Sequence, residues 1–431
     1  MTQTPRRIVI VGGGIAGLLL ATKLGRHYRG TGVAKVMLID RSPAHIWKPM
    51  LHTVAAGTTD VQQQRVAFVA HAKEHGYIYQ PGEMCGLDRQ ARRIEVAQME
   101  GPHGEVILGP RHIRYDVLIL ALGSKANDFG VPGVEKYCQF IDGLQQAEAF
   151  NNTLRARIFR SVARNESFRV AIVGGGATGV ELAAELSRLM EVAGGYGDPS
   201  LRERLCLTLV ESAPRILASF PESISAASTQ RLEMMGFSVM PSTRVVGADE
   251  DGLLLREHAR IDADLMVWAA GVKAPDFLKG LPGLQTTPNN RVIVRRTLQT
   301  LNDDHIFAIG DCASLTSPHA SRDLPPTAQV AAQQAEHLIR QLPRWLSGGV
   351  LAEFAFRDFG SLVSLSDYDA FGTLGQFGFF RGGVIRGRLA QYSHAMLYRR
   401  HQRALHGFRR ATMLWTAEQL NRCVQPKIRL A

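Results

Sequence analysis

The stretch IVIVGGGIAGLLLATKL at residues 8–24 decides the fold of this chain. A run of β-branched apolar residues predicts a buried strand, and the apolar periodicity at the end of the stretch predicts a helix. Between them Gly12, Gly14 and Gly17 follow the spacing G-x-G-x-x-G. In that spacing the first glycine permits a tight turn, the second lets a pyrophosphate approach the backbone, and the third lets helix and strand pack closely. The stretch therefore predicts a dinucleotide-binding unit.

The residues around this loop fit such a ligand. The N-terminus of the following helix would direct amide donors and partial positive charge at the phosphates, and Gly13 is counted with the binding glycines. Asp40 ends the next strand, VAKVMLID at 33–40, where a carboxylate can accept hydrogen bonds from ribose hydroxyls. A glycine motif taken alone is also compatible with a tight turn that binds nothing.

A second unit of the same design begins at residues 169–186, RVAIVGGGATGVELAAEL. Gly174, Gly176 and Gly179 repeat the spacing, and Glu211 ends the next strand, LCLTLVES. An acid at that position bonds the ribose 2′-hydroxyl and repels a 2′-phosphate, which favours NADH over NADPH. The polar loop GGYGDP at 194–199 accounts for the long spacing to the acid, and the alternative for Glu211 is an acid on the surface at a strand end.

Two dinucleotide sites on one chain imply transfer between dinucleotides, with a mobile NAD as hydride donor and a bound FAD as acceptor. The first site is predicted to bind the flavin, because IFAIGDCA at 306–313 returns to it late in the chain. Gly310 and Asp311 at the end of that strand place a carboxylate near a flavin's ribityl chain. Gly123 is assigned to the FAD site and Gly271 to the NADH site.

The predicted fold class is α/β, with two nested Rossmann-like dinucleotide-binding domains and a C-terminal amphipathic membrane-binding region. The FAD-binding domain is predicted to be discontinuous, at 1–150 and 297–349. The NADH-binding domain is predicted at 151–296 and the C-terminal membrane-association region at 350–431.

The cysteines limit the classes of flavoenzyme. A disulfide reductase would need a redox-active pair near the flavin, and the corresponding stretch RSPAHIWKPM at 41–50 contains no cysteine. Cys138 and Cys312 leave open a sulfide:quinone oxidoreductase, which needs reactive cysteines. A redox sensor that binds dinucleotides without turnover is a third alternative. The scattered cysteines as a set fit reduced thiols in a cytoplasmic protein.

The chain resembles the two-dinucleotide flavoproteins and, within them, the type II NADH dehydrogenases, which are non-proton-pumping NADH:quinone oxidoreductases. The resemblance covers nearly the whole chain and rests on a series of motifs: WKPMLHTVAAG at 47–57, ALGSKANDFGVPGV at 121–134, ADLMVWAAGVKAPDFL at 263–278, FAIGDCAS at 307–314, PPTAQVAAQQ at 325–334 and DFGSLVSLS at 358–366. It implies a respiratory-chain enzyme that passes hydride from NADH to non-covalent FAD and then two electrons to a membrane quinone. No apolar run is long enough to span a bilayer, so proton pumping is not expected.

The resemblance also implies roles for residues outside the glycine loops. PPTAQVAAQQ matches the family's quinone-site motif AQxAxQ at Ala328, Gln329, Ala331 and Gln333. Gln329 and Gln333 are expected on one helix face, where their amides can bond a quinone carbonyl, while Ala328 is expected beside the flavin.

Two charged residues have more open roles. The resemblance implies that Glu181 lies close to nicotinamide and flavin, where it relays protons or orders the two substrates. A plain acid in a first helical turn is the alternative for Glu181. Lys48 is expected to place a cation near the flavin, with a solvated loop lysine as its alternative.

The positive charge of the chain is concentrated at its end. Residues 381–431 hold eleven basic residues against the single acid Glu418, so this segment carries +10 of the chain's net charge of +11. Arginines alternate there with apolar residues, among them Trp415, as in a helix that lies in anionic headgroups. The predicted partner is an anionic membrane surface at the cytoplasmic face of the inner membrane, with a peripheral homodimer expected. A dimer interface, packing on the core and nucleic acid are the competing uses, and nucleic acid is disfavoured because stacking aromatics and a reader fold are missing.

Overall fold

The computed structural model describes residues 4–58, 65–193, 199–316, 323–366, 369–377 and 380–424. The helices are α1 (Ile15–Tyr28), α2 (Leu51–Ala55), α3 (Phe68–His75), α4 (Val134–Tyr137), α5 (Leu144–Arg164), α6 (Ala177–Ala193), α7 (Glu222–Met234), α8 (Ala328–Leu346), α9 (Arg388–His406) and α10 (Phe408–Val424). The strands are β1 (Arg6–Val11), β2 (Ala34–Asp40), β3 (Ala44–His45), β4 (Val66–Ala67), β5 (Ile78–Pro81), β6 (Met84–Asp88), β7 (Arg93–Val96), β8 (Met99–Glu100), β9 (Val106–Leu108), β10 (Arg111–Arg114), β11 (Val117–Leu120), β12 (Lys125–Ala126), β13 (Cys138–Gln139), β14 (Phe168–Val173), β15 (Leu205–Val210), β16 (Phe237–Met240), β17 (Val245–Asp249), β18 (Gly252–Leu255), β19 (Arg260–Asp262), β20 (Leu265–Trp268), β21 (Val272–Lys273), β22 (Val292–Ile293), β23 (Gln299–Thr300), β24 (Asp303–Ala308), β25 (Ala313–Ser314), β26 (Gly360–Leu365), β27 (Asp369–Phe377) and β28 (Phe380–Arg386).

The chain divides into two compact units. The first consists of Met1–Trp47, Gln64–Lys125 and Val272–Phe356, and the second of Lys48–Gln63, Ala126–Gly271 and Arg357–Ala431. The second unit therefore contains the segment around Lys48 and the C-terminal segment as well as the second glycine loop. The domain boundaries inferred from the sequence stay a prediction.

The first unit is built on a six-stranded sheet in the order β23-β24-β11-β1-β2-β5. Strands β24, β11, β1, β2 and β5 run parallel, with Ile8 opposite Val117 and Leu118 opposite Ile306. The apolar runs of β1, β11 and β24 are buried, as expected for the central strands of a parallel sheet covered on both faces. Helices α1 and α8 pack against each other in this unit. The prediction that residues 306–308 return to the first sheet is confirmed.

The second unit contains a five-stranded parallel sheet in the order β13-β20-β14-β15-β16. Strand β14 leads through α6 to β15 on one side and pairs with β20 on the other. The strand order reverses between β14 and β20, and ligands of open α/β sheets bind outside the carboxyl ends of the strands at such a reversal. Two Rossmann-type sheets confirm the predicted α/β class. The predicted loop at 194–199 lies outside the described residues except for its last position.

The C-terminal part of the second unit begins with the antiparallel sheet β26-β27-β28. Helices α9 and α10 follow, so the basic segment predicted as one helix is two. The break falls at Gly407, whose φ of 81° ends α9, and glycine adopts that conformation without a steric penalty. Within the described ranges, each helix is too short or too polar to cross a membrane.

Candidate active site

The first glycine loop joins β1 to α1 and leaves one open position. A Cβ on Gly12 would lie 2.3 Å from the carbonyl oxygen of Ala121, and one on Gly17 would lie 1.8 Å from the carbonyl oxygen of Gly12. Gly12 also has a φ of 104°, a conformation that side chains disfavour. A Cβ on Gly14, by contrast, would meet no atom within 4 Å. The loop therefore has a free cradle at the N-terminus of α1, which fits a pyrophosphate.

Asp40 closes this loop from the end of β2. The amide of Gly13 donates to Asp40 Oδ2 at 2.5 Å, and the amide of Ser42 donates to Oδ1 at 2.7 Å. Burial raises the pKa of Asp40, and these two amide bonds partly oppose the rise. The carboxylate is thus fixed beside the loop, where ribose hydroxyls of a bound dinucleotide would meet it.

The second glycine loop repeats this arrangement between β14 and α6. A Cβ on Gly174 would lie 2.8 Å from the carbonyl carbon of Ala269, and one on Gly179 would lie 1.9 Å from the carbonyl oxygen of Gly174. A Cβ on Gly176 would meet no atom within 4 Å. The second unit therefore contains its own cradle for a pyrophosphate, with the same three glycine roles.

Glu211 in the second unit is structurally equivalent to Asp40 in the first. Its Oε2 accepts from the amide of Gly175 at 2.7 Å, and its Oε1 accepts from the amide of Ala213 at 2.7 Å. Gly271 follows β20 at the same edge of the sheet, and its φ is 61°. The structure thus brings Glu211, Gly271 and the second loop to the carboxyl edge of one sheet.

Phe129 is a residue of this edge that sequence reasoning missed. Its ring packs so close to Gly271 that a Cβ on Gly271 would lie 2.4 Å from Phe129 Cζ. The side chain is 61% exposed, and its φ of 53° is unusual for a bulky residue. Strained residues cluster at ligand sites, so this aromatic ring belongs with the candidate NADH site. The motif ANDFG at 126–130 was the available signal.

Asp311 and Gly310 stand after β24 in the first unit. Ser124 Oγ donates to Asp311 Oδ2 at 2.7 Å, which joins the carboxylate to the loop that contains Gly123. The amide of Gly310 donates to Gln334 Oε1 at 2.7 Å, and Gln334 is buried. Gln334 therefore connects the turn at Gly310 to α8, a contact that no motif in the sequence indicated.

Helix α8 begins at Ala328, directly after Thr327. Thr327 caps it by accepting from the amide of Val330 at 3.3 Å. Gln329 and Gln333 are half-buried, whereas Ala331 is buried. The helix thus presents the two glutamines away from its fully buried side, and both have polar interactions within the protein.

Arg291 fixes the chain that leads into α8. Its Nε and Nη2 donate to the carbonyl oxygen of Ala313 at 2.9 and 2.5 Å, and Nη2 also donates to that of Leu324 at 2.9 Å. Asp323, next to Leu324, also accepts a hydrogen bond from Thr316 Oγ1 at 2.9 Å. A guanidinium bound to two carbonyls holds together both ends of the segment between Asp311 and α8. No motif in the sequence pointed to Arg291.

Glu181 lies on α6, two residues after the last glycine of the second loop, and is buried. Its Oε1 accepts from the amide of Ser364 at 3.0 Å, and its Oε2 lies 3.6 Å from His52 Nδ1. Burial and, to a smaller extent, the charge of Glu185 raise the pKa of Glu181 to about 8, and the hydrogen bond from the Ser364 amide opposes this rise. The carboxyl therefore holds a proton more readily than an ordinary surface acid.

Glu185 and Thr58 were not predicted as site residues. Glu185 is buried one helical turn after Glu181, and Thr58 Oγ1 donates to Glu185 Oε2 at 2.6 Å. The spacing ELAAE on a helix was the signal that could have found this pair, because residues four apart share a face. His52, Thr58 and the two acids form one buried polar cluster.

Lys48 lies in a 3₁₀ turn, Lys48–Met50, within the second unit. Its Nζ is 3.8 Å from Asp142 Oδ1, and the side chain is 39% exposed. Asp142 in turn accepts from the amide of Ala126 at 2.8 Å. The lysine is thus tethered by an ion pair, and its predicted role beside the flavin stays a prediction.

The two buried cysteines do not have the chemistry of reactive thiols. Burial raises the pKa of Cys138 to about 12 and that of Cys312 to about 11. Cys312 Sγ donates to the carbonyl oxygen of Ile309 at 3.3 Å. Nucleophilic cysteines instead have lowered pKa values and partial exposure. The sulfide-oxidising alternative therefore loses the residues that it would need.

The chain is similar to known proteins. The family model for pyridine nucleotide-disulphide oxidoreductases matches residues 6–335. The chain is 38% identical to the type II NADH:quinone oxidoreductase of Haemophilus influenzae, across 99% of this chain and all of that one. It is 28% identical to the type II NADH:quinone oxidoreductase of Staphylococcus aureus, across 86% of this chain and 90% of that one.

Two solved structures extend the comparison. NDH2 from Plasmodium falciparum in complex with NADH aligns with a TM-score of 0.81 at 18% identity, across 98% of this chain and 100% of that one. The sulfide:quinone oxidoreductase from Aquifex aeolicus aligns with a TM-score of 0.74 at 16% identity, across 93% and 92% of the two chains. At these identities the two structures show the fold alone.

Proposed function

The chain belongs to the pyridine nucleotide-disulphide oxidoreductase family and, within it, to the type II NADH:quinone oxidoreductases, and from this premise we propose how its residues divide the reaction. The protein is an FAD-dependent enzyme that oxidises NADH and reduces a quinone. In our proposal the first loop holds FAD together with Asp40, Gly123 and Asp311. The second loop holds NADH together with Glu211 and Gly271.

The observation that carries this assignment is the matching pair of open positions at Gly14 and Gly176. Each stands at the N-terminus of a helix, where amide groups and the helix dipole attract a pyrophosphate. FAD, when bound, supplies the redox centre that accepts two electrons as hydride from NADH and releases them to quinone. The protein's own part is to hold the two dinucleotides and the quinone in place.

Quinone is proposed to bind at α8. Gln329 and Gln333 lie one turn apart on a half-buried face and supply amide donors for a quinone carbonyl. Ala328 lets the capped start of the helix lie against a flat ring. Arg291 keeps this start in place through its bond to the carbonyl of Leu324.

Glu181 is proposed to hold the proton that quinone reduction consumes. Hydride and one proton are needed to form quinol, and a carboxyl that is protonated at pH 7 can donate that proton. The amide of Ser364 binds Oε1 at 3.0 Å, and Oε2 lies 3.6 Å from His52 Nδ1. Lys48 is proposed to add positive charge near the reduced flavin.

The site assignment is tested by replacing the quinone-side amides in the FAD-loaded enzyme. Gln329→Leu and Gln333→Leu should each raise KM for a water-soluble quinone about tenfold, the effect of losing roughly 1.4 kcal/mol. The rate at which NADH bleaches the flavin should stay at the wild-type value. Gln145→Leu, at an exposed position of α5, serves as the control. An unchanged KM in both α8 variants would remove α8 from the quinone site.

We also propose that α9 and α10 bind an anionic membrane surface at the cytoplasmic face. Exposed apolar side chains accompany the arginines of this segment: Met396 is 62% exposed, Phe408 71%, Trp415 48% and Leu420 63%. Apolar bulk, basic charge and an interfacial tryptophan together fit a helix that lies in headgroups. A homodimer is compatible with this proposal.

The membrane proposal is tested by sedimentation with vesicles of phosphatidylglycerol and phosphatidylethanolamine. The wild-type protein should cosediment, and the double variant Phe408→Asp, Leu420→Asp should not. Val106→Asp, at a 58% exposed position of β9, should bind like the wild type. Equal binding by all three proteins would contradict the proposal. If the double variant loses only dimerisation, measured by analytical ultracentrifugation, the surface formed by α9 and α10 binds a second copy of the chain instead.

A further inference from the structure

We infer that Glu185, anchored by Thr58, acts as a positioning residue that controls whether Glu181 holds its proton. The inference rests on the proposed role of Glu181 and adds a second carboxyl to it. Glu185 would act through the charge that it places beside Glu181, without contact with NADH or quinone.

The geometry of the cluster supports this pairing. Glu181 and Glu185 are 7% and 6% exposed, and their spacing puts both on one face of α6. Each is anchored by a different donor: the amide of Ser364 on β26 binds Glu181, and the hydroxyl of Thr58 after α2 binds Glu185. Both carboxyls are therefore buried on one face of α6 in the second unit.

Two carboxylates at this spacing repel each other when both are charged. Side chains one helical turn apart have Cβ atoms about 5–6 Å apart, and low surrounding polarity strengthens their interaction. The hydroxyl of Thr58 stabilises the charged form of Glu185, since a carboxylate is the better acceptor at 2.6 Å. The negative charge then remains on Glu185, and Glu181 retains the proton. The neighbouring charge of Glu185 indeed raises the pKa of Glu181.

Other titratable groups near α6 complete the surroundings. His52 on α2 lies 3.6 Å from Glu181 Oε2, and a protonated His52 would favour the charged carboxylate. Arg188 on α6 donates to Ser366 Oγ at 3.4 Å. Strand β26 has no titratable residue in its sequence. The remaining elements that pack on α6 carry Arg169, which is paired with Asp264, the exposed Cys206, and Arg202, Glu203 and Arg204.

The experiment is the pH dependence of steady-state NADH:quinone turnover by the FAD-loaded enzyme. The wild type should lose activity on the alkaline side with a midpoint near pH 8, as Glu181 gives up its proton. Glu185→Gln removes the repelling charge, so Glu181 should ionise more readily and the midpoint should fall by about one pH unit. Thr58→Val should shift it in the same direction by less, and Thr58→Ser should restore the wild-type midpoint.

The controls separate this inference from the function on which it rests. Glu148→Gln, an exposed acid of α5, should leave the midpoint unchanged. Glu181→Gln should abolish the alkaline limb, and a limb that persists in this variant would overturn the proton role of Glu181. A normal limb in Glu185→Gln and Thr58→Val, together with its loss in Glu181→Gln, would overturn the control by Glu185 alone. If Glu185→Gln retains no flavin, the comparison of Thr58→Val with Thr58→Ser decides whether Glu185 controls the proton on Glu181.

Discussion

The two glycine loops have almost the same backbone, but the helices that follow them differ. In both, the first glycine amide donates at 2.8 Å to the neighbouring strand, Gly12 to Ile39 and Gly174 to Val210. Two residues after the third glycine, α1 has the buried Leu19 and α6 has the buried Glu181. One turn later α1 has Lys23, where α6 has Glu185.

This difference separates the features that suit dinucleotide binding from those that we propose for proton transfer. The shared features are backbone features, because phosphates are bound by amides and by the space that glycine leaves. The differing features are side chains, and only α6 has partners that stabilise a buried acid at this position. In the proposed division of roles, the second loop binds a dinucleotide as the first does, and the helix after it adds a proton site.

The largest expected effect comes from placing a side chain in the open space at Gly14 or Gly176. Gly176→Val should lower kcat/KM for NADH about a thousandfold, roughly 4 kcal/mol of binding, because a side chain there meets ligand and no protein atom. Flavin content should remain normal in that variant. Gly14→Val should yield protein without flavin, measured by absorbance of the purified protein.

Gly109→Val is the matched control, since a Cβ there also meets nothing within 4 Å and the residue is far from both loops in sequence. Flavin loss in Gly176→Val with normal flavin in Gly14→Val would reverse the assignment of the two loops.

A smaller effect is expected from making α1 resemble α6. Leu19→Glu would bury an acid in the first unit without the Ser364 amide donor and the neighbouring His52 that Glu181 has. An unpaired buried charge destabilises by about 3 kcal/mol or more, and urea unfolding of the first unit should show this loss. Lys23→Glu, at a half-buried position of the same helix, should change the free energy of unfolding by less than about 1 kcal/mol. Similar values for both variants would mean that α1 tolerates an acid as well as α6 does.

The smallest effect concerns the acids that close the loops. Glu211→Gln should reduce kcat/KM for NADH about tenfold, near 1.4 kcal/mol, and narrow the preference over NADPH, because the repelling charge is removed. Glu222→Gln, in the exposed first turn of α7, should leave both values unchanged. An unaltered preference in Glu211→Gln would show that another residue discriminates between the two nucleotides.

Much of the fold was predictable from local sequence, because both loops rest on short-range patterns of strand, glycine and helix. The break of the basic segment at Gly407 was missed, since a single glycine does not end every helical pattern. Arg291, Gln334 and Thr58 were missed for another reason. Each acts through a partner distant in sequence, as Thr58 does with Glu185, and no local periodicity contains such a contact.

Glu181 shows the limit of the motif most clearly. The resemblance singled out the residue, but its raised pKa comes from burial and from the charge of Glu185, and the amide of Ser364, 183 positions away in sequence, opposes the rise. The motif therefore predicted the position of the acid but not its protonation state.

We expect α6 to hold a protonated carboxyl that α1 lacks, and infrared spectroscopy of the FAD-loaded enzyme can detect it. The wild type should show a carboxylic acid C=O band at pH 7 that disappears with a midpoint near pH 8, and Glu181→Gln should lack this band. The same band in Glu181→Gln, or a wild-type spectrum with Glu181 already ionised at pH 7, would rule out a protonated Glu181.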